Sequence, residues 1–177
     1  MAKLNGVEMK TFKNFRGHEG EPLAQATIYI DGKKAGFWSQ DSWGGGDQYE
    51  DRAMEATIGE RAKAFQKGCP KDYMFYDVMD SADCFMGTLL HLCDCEKAYK
   101  TFAKKGYPYM VAVDNGEQAY YTAFKIPVTA EKVKADGVLK DQIYKNGNPN
   151  IYFINSLGEF DIKVDEEHQC PMWLLRD

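Results

Sequence analysis

No apolar run in this 177-residue chain approaches the roughly 20 residues a helix needs to cross a bilayer, so no membrane segment is expected. Met1 to Lys10 alternate polar and apolar residues without the apolar stretch of an export signal, which predicts a cytoplasmic protein. Histidine is scarce, at three residues, and the five cysteines cannot all pair within one chain. In the cytoplasm they are expected as reduced thiols. Positive charge is not in excess: 22 Lys and Arg face 27 Asp and Glu, for a net charge of −5. A global basic field for nucleic acid is therefore excluded, although a local basic strip is not. The acidity is also too sparse for a DNA mimic, the longest acidic run being Asp165-Glu166-Glu167. A Gly-x-Ser-x-Gly elbow, a cysteine-protease signature and an internal repeat are all missing. No catalytic residue, cofactor or bound metal is predicted.

What is present suits a folded core. Hydrophobic residues make up 44% of the chain and aromatics 14%, which excludes disorder. The length predicts a single domain over 1–177, with possible lobes at 1–68 and 81–177. The best-defined stretch runs from Leu23 to Asp51. Asp31-Gly32 sits between two strand-like runs and predicts a type I′ hairpin, because both central residues of that turn need φ > 0. Ala24, Ala26, Ile28 and Ile30 then share one face, and Gln25, Thr27 and Tyr29 the other. Phe37 and Trp38 fall on opposite faces, so both faces are expected to be partly covered. A strand over Val7 to Phe15 makes three antiparallel strands in the first forty residues.

A helix is predicted from Tyr49 or Glu50, with Met54, Ile58, Ala62 and Phe65 at helical spacing and a stop at Gly68 and Pro70. Tyr73 to Met79 reads as a strand or a bridging segment. Ser81 is the expected N-cap of a long helix from Ala82 to Lys105, with Asp83 a favourable charge in its first turn, Phe85, Leu89, Leu92, Tyr99 and Phe102 as its core stripe and Gly106 at its end. Tyr107 to Val113 and Gln118 to Ile126 form a hairpin around Asn115-Gly116. Thr129 caps a short helix over Ala130 to Asp136. Ile151 to Asn155 and Phe160 to Val164 form a third hairpin around Leu157-Gly158, and the Met172 to Leu175 tail docks on the core. Hairpins with interposed helices predict an α+β fold: antiparallel β-hairpins packed with two main helices.

Each candidate site has a functional and a structural reading. Gly44-Gly45-Gly46 precedes a helix, where backbone N–H groups can cradle phosphate. It lacks a following Gly-Lys-Ser/Thr, and Asp41, Asp47, Glu50 and Asp51 crowd it with negative charge. The other reading is a tight turn into a capped helix. His91-Leu-Cys93-Asp-Cys95 places Cys84, His91 and Cys95 near one helix face, and His168-Gln-Cys170 repeats the spacing, but neither matches a zinc-finger pattern. Thiols packed as small hydrophobes account for these residues without a metal. Lys97, Lys100, Lys104 and Lys105 form a basic strip that either contacts nucleic-acid phosphates or complements the helix dipole. Phe37, Trp38, Trp43 and Tyr49, with the glycine loop, are the candidate binding residues, since aromatics displayed on loops anchor interfaces. Packing in the core is the competing reading.

Tyr29-Ile30-Asp31-Gly32-Lys33-Lys34-Ala35-Gly36, followed by Gly44-Gly45-Gly46 and Tyr49, resembles a hairpin-plus-glycine pattern of small phage and mobile-element proteins. Leu89-Leu90 and Lys104-Lys105-Gly106 match a downstream helix of that pattern, so the resemblance spans about residues 20 to 113. Some proteins of this kind are anti-CRISPR or other counter-defence factors. The resemblance implies a non-enzymatic binding protein that inhibits a host defence nuclease inside the bacterial cell. Its partner would be a host defence protein such as a CRISPR nuclease, with nucleic acid as a possible further contact. The pattern is structural and carries over no catalytic residue. The alternative is a nucleotide- or small-molecule-sequestering protein, or a small cytoplasmic enzyme, using the glycine loop.

Overall fold

The structure, a computed structural model, describes residues 1–114, 119–138, 150–171 and 174–175. The fold is α+β. It divides into two compact units, Met1–Cys93 with Asp161–Cys170, and Asp94–Phe160 with Pro171–Asp177. The division falls inside one continuous helix. Among the described residues no helix is long and apolar enough to cross a membrane.

The first unit is built on a sheet of six strands in the order β5-β4-β3-β2-β1-β9. These are β1 (Lys3–Leu4), β2 (Val7–Arg16), β3 (Pro22–Ile30), β4 (Lys33–Ser39), β5 (Gln48–Tyr49) and β9 (Asp161–Ile162). The expected turn is present. Asp31 and Gly32 have φ of 49° and 78°, and Ile30 pairs with Lys33 across them. Positive φ at both positions matches the strand twist and closes the hairpin in two residues. The alternation of β3 also holds: Ala24, Ala26 and Ile28 are buried while Gln25, Thr27 and Tyr29 are half-buried. Within the first forty residues there are four strands rather than three. Asn5-Gly6, with φ of 46° and 80°, turns β1 into β2 by the same physics as Asp31-Gly32. In β2 the register against β3 shifts between Lys10 and Lys13, where Thr11 has φ of 51°, so simple alternation through Phe12 does not hold.

Two helices cover the inner face. α1 (Arg52–Lys67) starts later than Tyr49 or Glu50, because Gln48 and Tyr49 pair with β4 instead. Asp51 is the true cap, its Oδ1 accepting the Met54 N–H at 2.8 Å. The expected stripe of Met54, Ile58, Ala62 and Phe65 is buried. α2 (Ala82–Lys104) is capped by Ser81, whose Oγ accepts the Cys84 N–H at 3.2 Å. Phe85, Met86, Leu89 and Leu92 of its first half are fully buried, and Phe85 meets Phe65 edge to face at 5.8 Å. The segment between the helices forms turns and a single 3₁₀ turn at Tyr76–Val78 rather than a strand.

The chain returns to the first unit at β9. This overturns the third expected hairpin: β9 pairs in parallel with β1, Lys3 opposite Asp161, and Leu157–Phe160 is a 3₁₀ turn leading out of the second unit. The returning segment is fastened by one buried amide. Asn5 Nδ2 donates to the Val164 carbonyl at 2.9 Å and the Arg61 carbonyl at 3.3 Å, and Asn5 Oδ1 accepts the Val164 N–H at 2.7 Å. Gly68, just after α1, lies so close to the segment that a Cβ there would stand 2.5 Å from Val164 Cγ1 and 2.6 Å from the Asp165 and His168 carbonyl oxygens. The Cys170 N–H bonds the Gly68 carbonyl at 2.8 Å, and the Cys170 thiol is hydrogen-bonded to Cys69, which with burial holds it far above the usual thiol range. None of the five cysteines is joined in a disulfide.

The second unit has a sheet in the order β7-β6-β8, with β6 (Tyr109–Asp114), β7 (Ala119–Phe124) and β8 (Asn150–Ile154) all antiparallel. Val111 packs with Val128 and Val133 on one face, supported by Phe124 and Phe153. α3 (Ala130–Ala135) supplies Val133 and is capped by Thr129 as expected, although it stops one residue short of Asp136. On the second half of α2, Cys95 and Tyr99 are buried, with Cys95 Sγ 2.6 Å from Tyr121 OH and the Tyr99 ring 5.6 Å from that of Phe160. Gly106 takes φ of 84°, and the Tyr107 N–H returns to the Phe102 carbonyl, which ends the helix at Lys104 instead of Lys105. The expected Asn115-Gly116 turn, Met172 and Trp173 lie outside the described residues.

Candidate functional site

The loop from Asp41 to Asp47 joins β4 to β5 in the first unit and is held by its own acids. The Asp41 carboxylate accepts the Gly45 N–H at 2.9 Å and the Gln48 side-chain amide at 3.4 Å, and the Asp41 carbonyl accepts the Gly44 N–H at 3.4 Å. Gly44 itself has φ of 78°. At the far end, Asp83 of α2 binds with both oxygens. One accepts the Asp47 N–H at 3.1 Å and the other the Tyr49 hydroxyl at 2.8 Å. Asp47 in turn accepts the indole N–H of Trp38 at 2.9 Å.

Two carboxylates meet here. Burial, and then the neighbouring Asp83 charge, push the Asp47 carboxyl up to about 6, against the opposing pull of the Trp38 N–H. Tyr49 is held well above the usual tyrosine range, chiefly by burial and then by its bond to Asp83. Sequence reasoning reads Asp83 only as a favourable charge in the first turn of α2. Its role as the anchor of a loop 34 residues away in sequence has no local signal.

The candidate residues therefore separate. Trp38 is fully buried and belongs to the core. Tyr49 is half-buried and committed to Asp83. Trp43 is 75% exposed at the loop tip, its ring stacked on His18 at 4.1 Å and 24°, while the His18 N–H bonds the Ser42 carbonyl at 3.1 Å. Phe37 is exposed on the open face of β4, with its N–H held by Glu50. The N–H groups of Gly44, Gly45 and Asp47, which a phosphate would need, already donate to Asp41 and Asp83. Lys97, Lys100 and Lys104 are exposed along the second half of α2 and Lys105 just beyond it, with Lys100 paired to the buried Glu96 at 3.0 Å.

Among the described residues no cluster of three or more His, Cys, Asp and Glu is placed to hold a metal. A groove of about 340 Å³ in the first unit is lined by Lys3, Asn5, Arg61 and Lys163 with acidic partners. Its cations are matched: Lys3 to Asp161, Arg61 to Asp31 and Lys163 to Asp165, at 3.2, 2.6 and 2.9 Å. Comparison with protein-family models, curated proteins and solved structures gives no match.

Proposed function

We propose that the chain is a non-enzymatic binding protein whose target is a host defence nuclease, in the manner of the phage-borne inhibitors it resembles. Trp43 carries the reading. A large ring is left in solvent on a loop whose backbone is tied down by Asp41 and Asp83, so little ordering is lost when a partner covers it. Tryptophan in such a position is the residue type that dominates protein interfaces, and the stacked His18 widens the contact. Nucleotide sequestration is the weaker reading, because the Gly44, Gly45 and Asp47 amides are already engaged and the surrounding carboxylates repel anions.

The test is phage growth on cells carrying a CRISPR defence, with and without the protein, together with cleavage by the purified nuclease. Wild-type protein is expected to restore plaques and block cleavage. Trp43→Ala should lose at least tenfold in inhibition with an unchanged melting temperature, as expected of an exposed hot spot. Equal plaque numbers with and without wild-type protein across a set of defence nucleases would refute the proposal.

A further inference from the structure

The two faces of the β2–β3–β4 ribbon differ in a way that alternation alone does not require. Inward, Ala24, Ala26, Ile28 and Trp38 are buried. Outward, where a one-sided sheet ordinarily shows polar residues, the strands carry rings: Phe15 and Tyr29 are half-buried and Phe37 is 46% exposed. Register sets lysines among them. Lys10 stands opposite Thr27, which stands opposite Phe37; Tyr29 stands opposite Lys34; Lys13 lies in the next row, opposite Gln25. Lys10 Nζ lies 3.9 Å from the centroid of the Tyr29 ring. The one carboxylate these three strands place on that face, Glu8, is 9% exposed and pairs with Lys10 at 3.6 Å. Glu50, from beyond β5, is occupied by the Phe37 N–H. A chain of net charge −5 thus keeps one sheet face basic and aromatic.

We propose that this face binds single-stranded nucleic acid, with a base stacked on Phe37, the Lys10-capped Tyr29 ring flanking it, and phosphates on Lys10, Lys13 and Lys34. Every base offers a π-face, so exposed rings on an open sheet accept bases without regard to sequence, and interleaved cations track the backbone. A duplex hides its bases and uses only the lysines. An acidic peptide likewise satisfies the lysines but leaves the rings without a specific partner. No residue of the Trp43 loop takes part, so this assignment stands or falls independently of nuclease inhibition.

Fluorescence anisotropy of the intact protein with labelled oligo-dT and oligo-U of about 15 nucleotides, and a duplex of the same length, tests it. Single strands are expected to bind at least tenfold more tightly than the duplex. The logarithm of the association constant should fall with the logarithm of salt at a slope of about −2, from three phosphate contacts. Phe37→Ala and Phe37→Leu should both weaken binding roughly tenfold at unchanged melting temperature, since leucine restores bulk but no stacking. The Lys13→Gln/Lys34→Gln variant should flatten the slope to about −0.7. Trp43→Ala should bind as wild type. Absence of saturable binding at low salt, equal affinity for duplex, wild-type binding by Phe37→Leu, or displacement by polyglutamate at matched charge would each overturn the proposal.

Discussion

The first unit contains two polar hubs that do similar work with opposite chemistry. Asn5 joins three chain segments with a neutral amide that spends donors and acceptor on backbone groups of Arg61 and Val164. Asp83 joins α2 to the Asp41–Asp47 loop and to β5 with a carboxylate that stands beside a second carboxylate, Asp47. The amide hub is buried and indifferent to pH. The carboxylate hub is exposed and tolerates a like charge next to it. The first belongs to the foundation of the fold; the second holds a loop that displays Trp43.

The largest expected effect breaks the amide hub. Asn5→Ala leaves the Val164 N–H and carbonyl buried without their partner and should cost about 3 kcal/mol in urea unfolding. A loss under 1 kcal/mol would show that water replaces the amide. Next comes the contact that brings the returning segment against α1. Gly68→Ala drives a Cβ into Val164 and two carbonyl oxygens and should cost about 2 kcal/mol, with the 161–170 segment losing hydrogen-exchange protection first.

Breaking the carboxylate hub should be milder. Asp83→Ala removes two hydrogen bonds but relieves repulsion on Asp47, for a net loss of about 1 kcal/mol. NMR titration of Asp47 should then show its pKa falling from about 6 toward the ordinary carboxylate range. The pH dependence has a definite sign. A carboxyl raised in the folded state holds a proton that the unfolded chain has already released, so its contribution declines as pH rises from about 4 to about 6 and is level above. Asp47→Asn removes this component, and the difference in urea midpoint between variant and wild type should change across that window and stay constant above it. At the small end, Trp43→Ala should leave stability within about 0.5 kcal/mol, because the ring is mostly in solvent.

Local chemistry determined much of this fold in advance. Asp31-Gly32 must turn because the two-residue hairpin needs positive φ twice, and Met54, Ile58, Ala62 and Phe65 must face inward because helical spacing aligns them. Asn5-Gly6 carries the same turn signal, but it serves a strand of two residues, too short to show alternation. Alternation separates Phe37 from Trp38 without saying which is buried; packing against the helices decides for Trp38, leaving Phe37 and Trp43 as the exposed members of the aromatic set.

What only tertiary structure decided lies in pairings between distant residues. Leu157-Gly158 looks like a hairpin turn, yet the partner of Asp161 is Lys3, 158 residues away. Asp83 looks like a helix-dipole charge, yet its oxygens are taken by the loop around Tyr49. Turns and helix faces follow from dihedral preference and spacing over a few residues, which the chain carries wherever it is. Strand partners and buried hydrogen bonds follow from which surfaces exclude water together, and that is settled only when the whole core has closed.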